Sequence, residues 1–368
     1  MITKAWRLVL AAGMAIGILA MPHTQAQARD FKTWLGELRR EAVASGISQA
    51  TVNAALPDTL QPIPRIIELD RKQPEKTRTL DQYLDSVVSA DRKDKGRTRY
   101  LNNKKLLEQI GDKYGVDPAV IVALWGVETS YGSITGGYKI VDALATLAYD
   151  GRRAEFFRSE LMKALKILDE DHIALDRFKG SWAGAMGQCQ FMPSSFLRFA
   201  VDYNGDGKRD IWDTQADVFA SAANYLSQSG WKRGQGWGHE VRLPQNFNRK
   251  LLGVDQEYPL SFWRNLNVRG LNDAQVANSD TIKASLIQPD GPSGRAFIVY
   301  DNYKVILKWN RSSYFGTAVG LLSDHIRTGK SASPVAKPAK KAATPKPKPA
   351  KAAPAAEVIH TTGSGLNN

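Results

Sequence analysis

The sequence predicts a mainly α chain of the α+β class: a helical body interrupted late by a small β-rich insertion. Three observations carry this. From residue 30 to 230 apolar residues recur at helical spacing in one segment after another. From residue 231 to 306 Gly, Pro and Asn increase, and short runs such as Thr281 to Ile287 and Ala296 to Tyr300 look like strands. Helical character then returns at Asn302 to Leu307 and at Tyr314 to Ile326. The expected order is a signal peptide (1–28), an N-terminal helical part (29–79), a helical core (80–230), the insertion (231–306), completion of the core (307–328) and a tail (329–368).

Lys4 and Arg7 give the first segment a positive start, and Val9 to Met21 is apolar but short for a membrane span. Ala26-Gln27-Ala28 fits a small-x-small cleavage site, so export to a periplasm and a mature start at Arg29 are expected. No cysteine follows the apolar run closely, so no lipid attachment is expected at a processed N-terminus. Cys189 is the single cysteine of 368 residues, which excludes an internal disulfide. None of the five histidines lies beside it in sequence, so a cysteine nucleophile is disfavoured. The formal charge is +13, from 50 Lys+Arg against 37 Asp+Glu, and points to an anionic partner.

Phe31, Trp34, Leu35 and Leu38 mark the first helical segment, which Gly46 breaks. Pro57, Pro62 and Pro64 make the next stretch an extended connection. A helix is expected near Leu80 to Asp91, containing Tyr83. Another is expected near Leu101 to Tyr114, with Leu101, Leu106, Leu107 and Ile110 as its apolar positions.

The stretch that follows dominates the chain. Asp117-Pro118 supplies an N-cap and a proline at the first helical position. Nine apolar or glycine residues come next, so the helix should be buried on most sides. Glu128 sits on the face of Ile121, Leu124 and Trp125. Burial there would raise its pKa, as a general acid at neutral pH requires. A buried Glu with a structural partner fits the same pattern. The glycine-rich turn Gly132 to Gly137 would let a ligand or another backbone approach closely. Two further helices are expected, and the second carries the stripe Phe156, Phe157, Leu161, Leu165 and Leu168, which reads as core.

Gly180 to Ser195 mixes glycines with two glutamines, serines and a tryptophan. Amides and aromatics on such a loop suit carbohydrate, though a loop packed under the core has the same composition. Asp202, Asn204, Asp206 and Gly207 match positions 1, 3, 5 and 6 of a calcium loop, and Lys208 would offer its carbonyl at position 7. Position 12 is Asp213, one methylene shorter than the usual Glu; Asp217 is an alternative closing ligand. Structural calcium is expected there, with no catalytic cofactor. Beyond Lys330 the Ala/Lys/Pro-rich composition cannot bury a core, so a disordered tail is expected, with lysines able to hold it near anionic wall or membrane.

Trp125-Gly-Val-Glu-Thr-Ser-Tyr-Gly132, Ala145 to Phe157, Gly184 to Ser195 and the calcium-like loop together resemble the lytic murein transglycosylase B family. The resemblance covers roughly residues 30 to 328. It implies a lysozyme-like helical core, an α-helical N-terminal part and a small inserted β domain. It implies cleavage of the β-1,4 MurNAc–GlcNAc bond of peptidoglycan glycan strands, in the periplasm, with no nucleic-acid partner. Glu128 matches the family's single acid/base, and Tyr83, Ser181, Gln190 and Asn310 match positions lining its cleft. Phe315 falls where a Tyr lines that cleft, with Tyr314 beside it. The metal-loop resemblance favours Asp202, Asn204, Asp206, Lys208 and Asp217 as the ligands. A hydrolytic muramidase would need a second carboxylate or a positioned water, with Asp142, Asp150 and Glu155 as candidates. A silent wall-binding protein would leave a Glu in an apolar helix unexplained.

Overall fold

A computed structural model describes residues 30–72, 78–170 and 172–329. The expected signal peptide, residues 1–28, and the tail from residue 330 on lie outside the described residues. Helices α1 (Phe31–Ala44), α2 (Gln49–Ala55) and α3 (Pro64–Arg71) form the N-terminal part. Asp30 and Ser48 cap the first two through their side chains, and Pro64 opens the third. Asp70, near the end of α3, is buried and paired with Arg152 and Arg153. Burial alone would raise its carboxyl, but the two guanidiniums outweigh it and hold it below the ordinary range. This ion cluster ties the N-terminal part to the core.

The body continues through α4 (Leu80–Val87), α5 (Ala90–Asn102), α6 (Lys104–Tyr114) and α7 (Pro118–Thr129). The helix expected near residues 80–91 is broken, because Ser89 caps α5 through its hydroxyl. Leu101, expected as a core position of the next helix, belongs instead to α5 and is 50% exposed. The reason is Asn103, whose side chain and N–H both bond the Arg99 carbonyl and end α5 there.

Helix α7 is the centre of the core. Every residue from Ala119 to Thr129 is buried, as a helix apolar all round requires. It packs against α5, α6, α11 (Gln215–Gln228) and α14 (Ser313–Thr328). Gly126 leaves room for the Tyr131 ring, whose hydroxyl donates to the Arg92 carbonyl of α5: a Cβ at Gly126 would lie 2.5 Å from that ring. After α7 come the two-residue strand β1 (Tyr138–Lys139), α8 (Ile140–Asp150) and α9 (Ala154–Asp169). Strand β2 (Lys179–Gly180), which pairs antiparallel with β1, and α10 (Pro193–Phe199) follow.

The inserted layer holds β3 (Gly238–Arg242), β4 (Tyr258–Pro259), the short α12 (Leu260–Asn265), β5 (Arg269–Gly270), β6 (Lys283–Ile287) and β7 (Ala296–Val299). The sheet order is β4-β6-β7-β3-β5, with antiparallel pairing throughout. Period-two alternation divides its side chains: Ile298 joins a local cluster around Trp263, while Phe297 and Val299 face the main core. The strands end at Val299, and α13 (Asp301–Trp309) begins two residues on. Its Tyr303, Val305 and Ile306 sit in the main core, so residues 301–306 pack with the helical body rather than the insertion.

Candidate active site

Glu128 lies in the last turn of α7, and the chain leaves that helix through three left-handed residues: Ser130 (φ 49°), Tyr131 (φ 62°) and Gly132 (φ 80°). Thr129 holds this exit, its hydroxyl donating to the carbonyls of Trp125 and Gln188 and accepting from the Gly132 N–H. The Glu128 side chain is 2% exposed. Ile121, Leu124, Trp125, Cys189, Phe219 and Trp309 surround it, around a cavity of about 10 Å³, the lower limit for one water. Its one hydrogen bond to the described residues comes from Trp309, whose indole N–H donates to Oε1 at 2.9 Å. Burial pushes the carboxyl up to about 8, against the smaller opposing effect of that indole. No other carboxylate is a cause of the shift.

The structure brings Tyr83 to this carboxyl. Burial raises the Tyr83 phenol to about 12, and the charge of Glu128 adds to the rise. Gln190 stands in a left-handed conformation (φ 51°) and is buried. Its amide donates to the carbonyls of Thr135 and Gly187 at 3.1 and 2.9 Å, so it ties its loop to the loop following α7. Its Oε1 has no partner among the described residues. Ser181 Oγ accepts the Ala185 N–H at 2.9 Å and keeps its own proton uncommitted. Asn310 follows α13, with Oδ1 accepting the Ser312 N–H at 3.0 Å and Nδ2 unpartnered among the described residues. These three side chains thus keep one acceptor, one hydroxyl and one amide donor for a polar ligand.

Phe315 is buried and presents nothing to a ligand. Tyr314 is the half-buried neighbour; its ring lies 5.7 Å from that of Tyr83 and its hydroxyl bonds Asp290. Trp309 was not singled out by the sequence as the partner of Glu128. Its ring packs on Phe191 and Tyr225 at 5.2 and 4.7 Å, which fixes the indole edge against the carboxyl. Among the hydrolase candidates, Asp150 is paired with Arg71, and Asp142 opens on a different cleft.

The loop from Asp202 to Asp213 has the donors calcium takes, all oxygen. Asp202 accepts the N–H groups of Gly205, Asp206 and Gly207, Asn204 accepts that of Asp206, and Asp206 accepts that of Lys208. This winds the loop about its own carboxylates. Asp217 is fully buried and accepts the N–H groups of Tyr203 and Asp210. Burial raises its carboxyl, and the charge of Asp202 raises it further, so the two acids repel where a cation would relieve them. Asp213 is turned away into an ion pair with Arg177. Among the described residues no three His, Cys, Asp or Glu side chains are gathered as a metal cluster; the fit rests on the mixed set of carboxylates, amide and carbonyl.

A helical body with an inserted sheet and one buried carboxyl at the end of its central helix defines a lysozyme-like fold with a candidate general acid. The chain belongs to the transglycosylase SLT domain family, which it matches over residues 30–324. It is 33% identical over 252 residues to membrane-bound lytic murein transglycosylase B of Escherichia coli K12. That match covers 67% of this chain and 66% of the relative, just under two thirds of its length. SltB3 from Pseudomonas aeruginosa, in complex with NAG-anhNAM-pentapeptide, is similar with TM-score 0.79 and 42% identity over 83% of both chains. The E. coli lytic transglycosylase Slt35 in complex with calcium is similar with TM-score 0.69 and 27% identity, over 80% of this chain and 93% of that one.

Proposed function

We propose that the chain is a peptidoglycan lytic transglycosylase that cleaves the β-1,4 MurNAc–GlcNAc bond without water and leaves 1,6-anhydroMurNAc ends. The observation that carries this is the buried carboxyl of Glu128, neutral at pH 7, with no second carboxylate acting on it. Hydrolases of the retaining kind set a second carboxylate about 5–5.5 Å away; at that distance its charge would raise Glu128 further. Glu128 donates its proton to the glycosidic oxygen as the C1–O bond breaks. Positive charge develops at the MurNAc anomeric carbon, where the sugar's own acetamido oxygen can stabilise it. The ionised Glu128 then takes the proton of the same sugar's C6 hydroxyl, whose oxygen bonds C1. The proton lost is regained and no water is consumed. Ser181, Gln190 and Asn310 would position the sugar and its acetamido group, with Tyr83 beside the acid. The SltB3 complex with an anhydro muropeptide supports this reading.

The test is digestion of purified sacculi by wild type and Glu128→Gln, with products read by mass. Wild type should release anhydro muropeptides, one water lighter than reducing ends, and the variant should lose at least about 10²–10⁴ in rate. Reducing ends from the wild type would defeat the reading. We further propose that Asp202, Asn204, Asp206, Asp217 and the Lys208 carbonyl hold calcium as a structural brace, in line with the calcium complex of Slt35. The reading places the enzyme in the periplasm, with residues 1–28 as its export signal and the basic tail as an electrostatic hold on the wall.

A further inference from the structure

A second cleft, of about 770 Å³, lies against the two-stranded ladder β1–β2. Its walls come from the α2–α3 connection, the start of α8 and residues 175–179, none of which surrounds Glu128. Leu60, Val141 and Phe178 give it a buried apolar floor. Around that floor stand Lys139, Lys179, Asp142 and Asp176.

The two lysines face each other directly across the ladder. Side chains so placed share one face with Cβ atoms about 4.5–5.5 Å apart, and like charges there are destabilising. No contact ion pair relieves them: none of the four charged side chains is in an ion pair with any described residue. Asp142 is half-buried; burial raises its carboxyl and the charge of Lys139 draws it back without contact. The cleft therefore holds two cations and two anions, none of them in a contact ion pair, over an apolar floor. Neutral sugar does not need such a lining, and the one aromatic ring in the wall, Phe178, is buried and offers no face for stacking. A short peptide bearing free carboxylates, a free amine and small apolar side chains needs each part of it. The volume is also that of a ligand pocket, which typically measures about 300–1,000 Å³.

We propose that this cleft binds the peptide stem of peptidoglycan, with its carboxylates on the Lys139–Lys179 pair and its amine toward Asp142 and Asp176. The assignment rests on peptidoglycan being the substrate. The cleft also adjoins the catalytic side through the chain itself. Lys139 ends the glycine-rich segment that follows α7, and Lys179 is two residues before Ser181. A stem branching from the muramyl sugar held near Ser181 would thus have a charged seat along the same two-stranded ladder.

The experiment is calorimetric titration of the full chain with two ligands: the free stem pentapeptide, released from peptidoglycan by an amidase, and the anhydro disaccharide without peptide. Proteins are wild type, Lys139→Ser/Lys179→Ser and Lys139→Arg/Lys179→Arg. The pentapeptide should bind wild type, bind the serine variant about tenfold more weakly as two charged contacts are lost, and recover with arginine. The serine variant should melt no lower than wild type, since a like-charge pair is removed. The disaccharide should bind wild type and arginine variant alike. Equal peptide binding by wild type and serine variant, or no peptide binding to wild type while the disaccharide binds, overturns the assignment. Loss of the disaccharide alone in the serine variant overturns it too, making the cleft a glycan site. If neither ligand binds wild type, the peptidoglycan reading fails and takes this one with it.

Discussion

Replacing Glu128 with Gln should stabilise the folded chain at neutral pH while abolishing its chemistry. The folded carboxyl keeps its proton up to about 8, against an ordinary value of 4.5. Below the ordinary value both folded and unfolded chains hold the proton, and the raised pKa costs nothing. Between the two values the unfolded chain releases the proton and the folded chain does not, so stability falls as pH rises. Each pH unit in that window is worth about 1.4 kcal/mol, so wild type loses roughly 3 kcal/mol by pH 7. Gln does not ionise and escapes this loss. Its amide can accept the Trp309 N–H, but its NH₂ meets mostly apolar walls, which costs about 1–3 kcal/mol. That cost is independent of pH and cancels when the two pH values are compared. The stability difference between variant and wild type should therefore grow by about 3 kcal/mol from pH 4 to pH 7, or roughly 6–12 °C in Tm at 2–4 °C per kcal/mol. Urea unfolding of both proteins at pH 4, 5, 6 and 7 measures it. Parallel stability profiles for the two proteins would refute the claim that Glu128 is buried as a neutral acid.

Much of this site was legible in the sequence, for a local reason. Helix α7 announces itself through Asp117-Pro118 and an uninterrupted apolar run, and burial of Glu128 follows from its position in that run. Trp309 was not legible as its partner. It lies 181 residues away, and its contact depends on how α13 crosses the core, which no periodicity encodes. The same limit explains Leu101. Its spacing fits the stripe of α6, but one side-chain bond from Asn103 ends α5 after it and turns it to solvent. Asp217 illustrates an ambiguity of chemistry. A carboxylate at that position can close a metal loop or brace it through backbone amides; the bonds from Tyr203 and Asp210 show the bracing, and the proposed calcium would add the first role to the second. The Lys139–Lys179 pair could not be read at all, since a two-residue strand has no alternation to detect.

The remaining predictions concern the metal loop and the indole. If the loop holds calcium, excess chelator should lower Tm, since a ligand at a hundred times its Kd stabilises the folded state by about 2.7 kcal/mol; an unchanged melting curve would remove the site. Trp309→Phe keeps the ring packing against Phe191 and Tyr225 but removes the donor to Glu128. That donor favours the ionised carboxylate, so its loss should raise the acid's pKa. A hydrogen bond to a charged group is worth about 1.5–3 kcal/mol net, hence about one to two pH units. On the proposed mechanism the first step needs Glu128 protonated, so activity should fall as pH rises through that pKa. The alkaline limb of kcat/KM against pH should therefore move upward in the variant, while kcat drops because the carboxyl loses its fixed orientation. A lower kcat with an unmoved alkaline limb would mean that Trp309 only fills space, and that something other than its N–H sets the proton affinity of Glu128.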